Sequence, residues 1–230
     1  YLHHYKKIIA ISDSVKEDLF VRSKIDSVLV NNGVDVSIIK TREWHSLSDN
    51  ILRIVVVGRL EHSIKGQDIL IKALSNLKPL LEHVFIDFIG DGSSRNYLEH
   101  LTVSCGLENR IRFLGLKDRK SIYKLLCNYD LLVQPSICEG FGLTIAEAML
   151  AKVPVLVSGK GPVEIVKNGV YGFIFESGNV VKCGEQLLYI LEHYSDFEEK
   201  VDHAYDYAKN SFSLSGMVLK YEQVYKSILN

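Results

Sequence analysis

The stretch Glu139-Gly-Phe-Gly-Leu-Thr-Ile-Ala-Glu147 sets a glycine-rich turn between two carboxylates and runs directly into an apolar segment of helical character. The hydrophobic run Leu131-Leu-Val-Gln134 precedes it and Val153-Pro-Val-Leu-Val157 follows, so the unit reads strand, loop, helix, strand. Such a unit forms a ligand-binding corner of an α/β sheet. Gly140 and Gly142 let the main chain turn without a Cβ clash, and a helix starting near Leu143 offers free N–H groups and a positive dipole end to an anion. Carboxylates beside a phosphate repel it unless they accept hydrogen bonds from neutral hydroxyls. A ligand that carries both phosphate and sugar hydroxyls meets both demands.

A second constellation supplies positive charge. Arg53-Ile-Val-Val-Val-Gly58 reads as a strand ending in Arg59-Leu-Glu-His-Ser-Ile-Lys65-Gly-Gln, followed by an amphipathic helix through Leu70, Ala73, Leu74 and Leu77. Arg59 and Lys65 thus flank one βα loop, on the same rim as the Glu139 loop, where they can meet an anion held over Gly142. A rigid guanidinium fork and a mobile ammonium together suit a diphosphate that gains charge as a bond to it breaks, with no metal ion required.

Strands are predicted near 52–58, 84–89, 111–114, 131–134, 153–157 and 172–175, alternating with helices near 66–78, 94–104, 119–127 and 143–151. The fold class is therefore α/β, a doubly wound, Rossmann-like parallel sheet. Ser12 or Asp13 caps an earlier helix through Leu19 and Phe20, and Ser27-Val-Leu-Val30 reads as a strand. Residues 36–50, with the lone Trp44 and no periodicity, read as a linker, and the chain beyond residue 178 reads as helical. Its recurring Leu and Tyr, including Tyr205, Tyr221 and Tyr225, are expected to pack rather than to form a stacking platform.

The 230 residues are 47% hydrophobic and carry 27 Lys and Arg against 28 Asp and Glu, so no basic stripe points to nucleic acid. No apolar run approaches the roughly 18 residues that would span a bilayer. Cys105, Cys127, Cys138 and Cys183 show no C-x-x-C pairing and lie in apparent core segments, which reads as reduced thiols in a cytoplasmic protein. The chain opens on Tyr1 with neither Met nor a signal peptide, which reads as the middle of a protein.

The ordered set Gly58-Arg59-Leu60, Lys65-Gly66, Ile89-Gly-Asp-Gly92, Phe113-Leu-Gly115, Glu139 through Glu147 and Gly161-Pro-Val-Glu164-Ile resembles the carboxyl-terminal, donor-binding domain of retaining GT-B glycosyltransferases, group 1 or family four. The resemblance implies that Arg59 and Lys65 bind the donor diphosphate, that Glu139 contacts hydroxyls of the donor sugar and that Glu147 binds the ribose. It implies that Gly58 and the turn Gly140, Phe141, Gly142, Leu143 and Thr144 hold phosphate and sugar, and that Leu116 lies against the base. Arg59, Lys65 and Glu139 are the candidate catalytic residues, and no metal or cofactor is implied beyond the nucleoside diphosphate sugar donor.

By the same resemblance, residues 1–35 close an amino-terminal acceptor domain, 36–50 link, 51–178 form the donor domain and 179–230 supply closing helices, the last of them left exposed. Membrane contact would pass through the missing acceptor domain alone, at the inner face. The alternative is a non-catalytic nucleotide-sugar module of a split enzyme. Other readings fit less well: a glycosidase needs paired carboxylates but no phosphate cradle, and an epimerase or a phosphorylase needs acid–base groups or a cofactor lysine with no counterpart here. Cys138 reads as a small buried hydrophobe, His62 as an exposed loop residue, and Asp91 as part of a strand-ending turn. Glu164 reads as the start of a short helix.

Overall fold

The computed structural model describes residues 4–77 and 82–229. The chain begins with a small βαβ unit in which β1 (Ile9–Ala10) and β2 (Val28–Leu29) pair in parallel and α1 (Asp13–Ser23) joins them. Ser12 caps α1 by accepting a hydrogen bond from the backbone N–H of Val15.

The main sheet follows, with β3 (Leu52–Val57), α2 (His62–Lys65), α3 (Gln67–Asn76), β4 (Val84–Ile89), α4 (Arg95–Ser104), β5 (Ile111–Phe113), α5 (Arg119–Leu125) and β6 (Leu131–Gln134). It continues through α6 (Leu143–Leu150), β7 (Val155–Val157), α7 (Lys160–Ile165) and β8 (Phe173–Ile174). The six strands are parallel in the order β5-β4-β3-β6-β7-β8. Chain order runs outward one way from β3 and then outward the other way from β6, so the direction of winding reverses between those two strands. Leu52, Ile54, Val55, Leu131 and Val133 are fully buried because helices cover both faces, which is why these strands read as unbroken hydrophobic runs.

Several predicted elements differ in extent, among them the strand expected at 172–175, which spans Phe173–Ile174, and two of the differences have a direct cause. The helix expected over 66–78 is two pieces, because the chain turns at Gly66 in the left-handed region (φ 62°) between α2 and α3, and its expected end at Lys78 lies outside the described residues. The strand expected from Val153 starts at Val155, since Pro154 has no N–H for the ladder, although its carbonyl accepts from Leu132 (3.0 Å).

Residues 36–50 lack periodicity but are held to the sheet by the polar contacts of Arg42 and by the packing of Ile39, Trp44 and Leu47. Arg42 is 6% exposed and donates to the Tyr129 carbonyl and to Asp130 Oδ1, while Trp44 stacks on Tyr194 with ring centroids 4.8 Å apart. Tyr194 in turn donates to the Asp130 carbonyl (2.9 Å), and the Arg53 backbone N–H donates to Asp130 Oδ2 (2.8 Å).

The carboxyl-terminal helices are α8 (Val180–Glu192), α9 (Glu198–Ser211) and α10 (Leu214–Leu229). Leu187 and Leu191 are buried as their spacing predicts, and Ala204 and Ala208 join the core beside α6. Tyr225 does not pack: it is 60% exposed on α10, whose Leu214, Val218 and Leu219 also face solvent, in keeping with the expected exposure of the last helix. The cysteines divide likewise. Cys183 is buried, and burial pushes its thiol up to about 12, whereas Cys138 is exposed because it lies in a rim loop rather than in the core.

Truncating Arg42 to Ala leaves the buried Asp130 carboxylate only its longer contact with the half-exposed Arg53 (3.9 Å), and we expect a loss of about 3 kcal/mol in urea unfolding. A loss under about 0.5 kcal/mol, the range of an ordinary surface change, would show that the 36–50 segment does not brace the sheet.

Candidate functional site

The carboxyl ends of β3 and β6, where the winding reverses, open onto a cavity of about 180 Å³. Its walls include Gly58, Lys65, Glu139, Gly142, Leu143 and Thr144.

Backbone contacts bring the two loops together. The carbonyl of Ile64, at the end of α2, accepts the N–H groups of both Ile137 (2.9 Å) and Cys138 (3.1 Å). Gly66 makes that approach possible: a Cβ there would lie 2.0 Å from the Pro135 carbonyl oxygen, far inside contact distance. With the loops fixed at this separation, Lys65 and Glu139 form an ion pair across the cavity.

The floor of the cavity is the start of α6. Gly142 stands before it in the left-handed region (φ 86°), with no side-chain cap. The Ile145 N–H is taken by the Gly142 carbonyl (3.0 Å), but the backbone N–H groups of Gly140 through Thr144 have no partner among the described residues. Unpaired donors at the positive end of a helix make a seat for an anion.

Gln134, the last residue of β6, was not singled out from sequence and joins the two halves of the site. Its Nε2 donates to Glu139 Oε2 (2.9 Å), and its Oε1 accepts from the Thr144 hydroxyl (2.8 Å). Gln67 and Ser136 also line the cavity, each with a buried oxygen that lacks a partner among the described residues. The signal for all three was positional: they stand at or just beyond strand and helix ends on the rim, where motif spacing says nothing.

Other predicted residues lie farther off. Arg59 belongs to the same loop, but its guanidinium is 65% exposed and pairs with Glu61 (2.9 Å) outside the cavity wall. Glu147 is buried, not solvent-facing, and lies outside the cavity lining. Its Oε1 accepts from Arg119 (2.7 Å) and from the Tyr123 hydroxyl (3.1 Å). Burial and the neighbouring carboxylate push the Tyr123 hydroxyl up to about 12, so it remains a donor to Glu147 throughout the neutral range. Leu116 is 79% exposed on the loop before α5. The Phe141 side chain turns into the core, edge-on to Phe212, and the residue lies outside the cavity lining.

Three minor expectations change or gain detail. His62 is no free loop residue: it starts α2, packs on Tyr97 (4.3 Å between centroids) and contacts the Ser94 hydroxyl through Nδ1 (2.8 Å). Glu164 sits near the end of α7, not at its start. Asp91 caps its turn by accepting from the Gly92 N–H (2.8 Å). Among the described residues no His, Cys, Asp and Glu cluster able to hold a metal ion is present.

A parallel sheet wound in this order, with a cavity at its reversal point, is a doubly wound, Rossmann-like α/β fold. The sequence matches the family Glycosyl transferases group 1 over residues 30–211, and the chain belongs to that family. It is 33% identical over 189 residues to an uncharacterized glycosyltransferase of Methanocaldococcus jannaschii, covering 75% of this chain and 48% of that protein. It is 28% identical over 142 residues to the N-acetyl-alpha-D-glucosaminyl L-malate synthase of Bacillus anthracis, covering 61% of this chain and 37% of that protein. Among solved structures, Anabaena HepE in complex with UDP and glucose superposes with a TM-score of 0.83 at 27% identity, over 96% of this chain and 63% of that one. The chain thus spans about half the length of the first of these curated relatives.

Replacing Gly66 with Ala places a Cβ on the Pro135 carbonyl and requires a left-handed backbone. We expect a loss of about 2 kcal/mol or more in thermal unfolding. An unchanged melting temperature would show that the loops are not held by this close approach.

Proposed function

We propose that the cavity binds a nucleoside diphosphate sugar and that the chain is the donor-binding half of a retaining hexosyltransferase. The observation that carries this reading is the meeting of Lys65 and Glu139 over the free N–H groups at the start of α6. A cation and an array of N–H donors suit a diphosphate, and an adjacent carboxylate suits sugar hydroxyls. The HepE structures in complex with UDP and with UDP-glucose support the same ligand class.

In this reading the diphosphate sits over Gly142, Leu143 and Thr144, and Lys65 leaves Glu139 to bind it. Arg59 exchanges Glu61 for the same anion. Glu139 then accepts from a sugar hydroxyl, Glu147 faces the ribose beside Arg119, and Leu116 lies under the base. As the bond from the anomeric carbon to the diphosphate oxygen breaks, Lys65, Arg59 and the α6 terminus take up the developing charge, so no divalent metal is needed. The acceptor hydroxyl oxygen bonds the same carbon on the face the leaving group vacates and passes its proton to the departing diphosphate oxygen, without a protein nucleophile. Acceptor binding belongs to an amino-terminal domain of which residues 1–35 are the last part. The isolated chain binds donor without completing transfer, and the whole protein builds a polysaccharide or glycoconjugate.

Among the described residues no helix is long and apolar enough to cross a membrane. The four cysteines are unbridged, which supports a cytoplasmic placement, with any contact to the inner membrane face made by the acceptor domain.

Calorimetry with UDP, GDP and ADP tests this assignment. One of the three is expected to bind, with unchanged affinity in EDTA, and Lys65→Ala or Arg59→Ala is expected to weaken it about tenfold. Binding lost in EDTA would overturn the metal-free reading. An Arg59→Ala affinity equal to wild type would remove Arg59 from the site.

A further inference from the structure

We infer that Gln134 is a positioning residue that decides which oxygen of Glu139 faces the transferred sugar. This rests on the donor-site reading above and deepens it.

The amide is 8% exposed and its orientation is dictated by its neighbours. An ionised carboxylate only accepts, so the NH₂ end must face Glu139, and the carbonyl end then takes the proton of the Thr144 hydroxyl. Turned about, the amide would set its oxygen against the carboxylate. Gln134 and Lys65 both act on Oε2 of Glu139, and Oε1 receives no hydrogen bond from the described residues. The free oxygen is therefore the one available to a sugar hydroxyl.

The two donors differ in what happens when an anion arrives. Lys65 is a mobile cation that a diphosphate over α6 draws away from Glu139. Gln134 is neutral, with its carbonyl end tied to Thr144 at the second position of α6, so it stays. It keeps the carboxylate in place while the cation changes partner. The missing Cβ of Gly142 gives the amide room: that atom would stand 3.0 Å from Gln134 Nε2. Because the Thr144 hydroxyl proton is committed to Gln134, Thr144 reaches a phosphate through its backbone N–H and not through its hydroxyl.

The test compares Gln134→Leu and Gln134→Glu with wild type in calorimetry against UDP and UDP-glucose, with the GDP and GDP-mannose and the ADP and ADP-glucose pairs in parallel. The Glu variant keeps the shape and the acceptor for Thr144 but has no N–H for Glu139, and so serves if the Leu variant fails to fold. For the base that wild type binds, the Leu variant is expected to bind the nucleoside diphosphate within about twofold of wild type and the nucleotide sugar about tenfold more weakly; the added carboxylate of the Glu variant repels the diphosphate of both ligands, and this variant is expected to lose about tenfold more for the nucleotide sugar than for the nucleoside diphosphate. In a Glu139→Gln background the Gln134→Leu change is expected to add no further loss for the sugar nucleotide, the mark of two residues acting as one unit. Equal weakening of both ligands would make Gln134 merely structural, and no weakening of either would remove it from recognition; both results overturn the inference and leave the donor site standing. A wild-type chain that binds none of the nucleotides would overturn the donor-site reading and this inference with it.

Discussion

The site depends on one carbonyl oxygen. Ile64 O, at the end of the four-residue α2, accepts from two successive N–H groups of the loop after β6 and so ties the β3 loop to the β6 loop. Without that tie, Lys65 and Glu139 would belong to two independently mobile segments. With it, a cation and a carboxylate from residues 74 apart in the chain share one cavity. The tie needs the glycine that follows α2, because any larger residue would strike the Pro135 carbonyl.

The charged side chains of the site pair with one another. Lys65 pairs with Glu139, Arg59 with Glu61 and Arg119 with Glu147. In the proposed function a donor enters by exchanging partners: phosphate oxygens replace carboxylates around the cations, and sugar and ribose hydroxyls replace cations around the carboxylates. Such exchange limits the net gain from each charge, since every new contact displaces an old one. The neutral groups have no such competitor. The unpaired N–H groups at the start of α6 and the amide of Gln134 keep their geometry, which is where preorganisation in this site resides.

Much of the fold was legible because buried parallel strands and amphipathic helices impose patterns. The strands at 84–89 and 131–134 and the helix from Leu143 fall where hydrophobic runs and Gly142 place them. Arg42, Trp44 and Gln134 were not legible in this way. Arg42 and Trp44 act through directed contacts with residues distant in sequence and Gln134 through two side-chain hydrogen bonds to the loop and helix that follow it, and such contacts leave no period. The same holds for Arg59, whose presence on the rim follows from loop order but whose turn toward Glu61 follows from side-chain torsions. Glu147 was placed on its helix correctly, while its burial under Arg119 depends on α5, which the helix pattern alone does not position.

A crystal structure of the chain soaked with whichever of UDP, GDP and ADP it binds tests the central claim most directly. The account predicts the diphosphate on the backbone N–H groups of Gly142, Leu143 and Thr144, with Lys65 drawn from Glu139 onto a phosphate oxygen and Gln134 still holding Glu139. A nucleotide bound away from α6, with the Lys65–Glu139 pair intact, would contradict it.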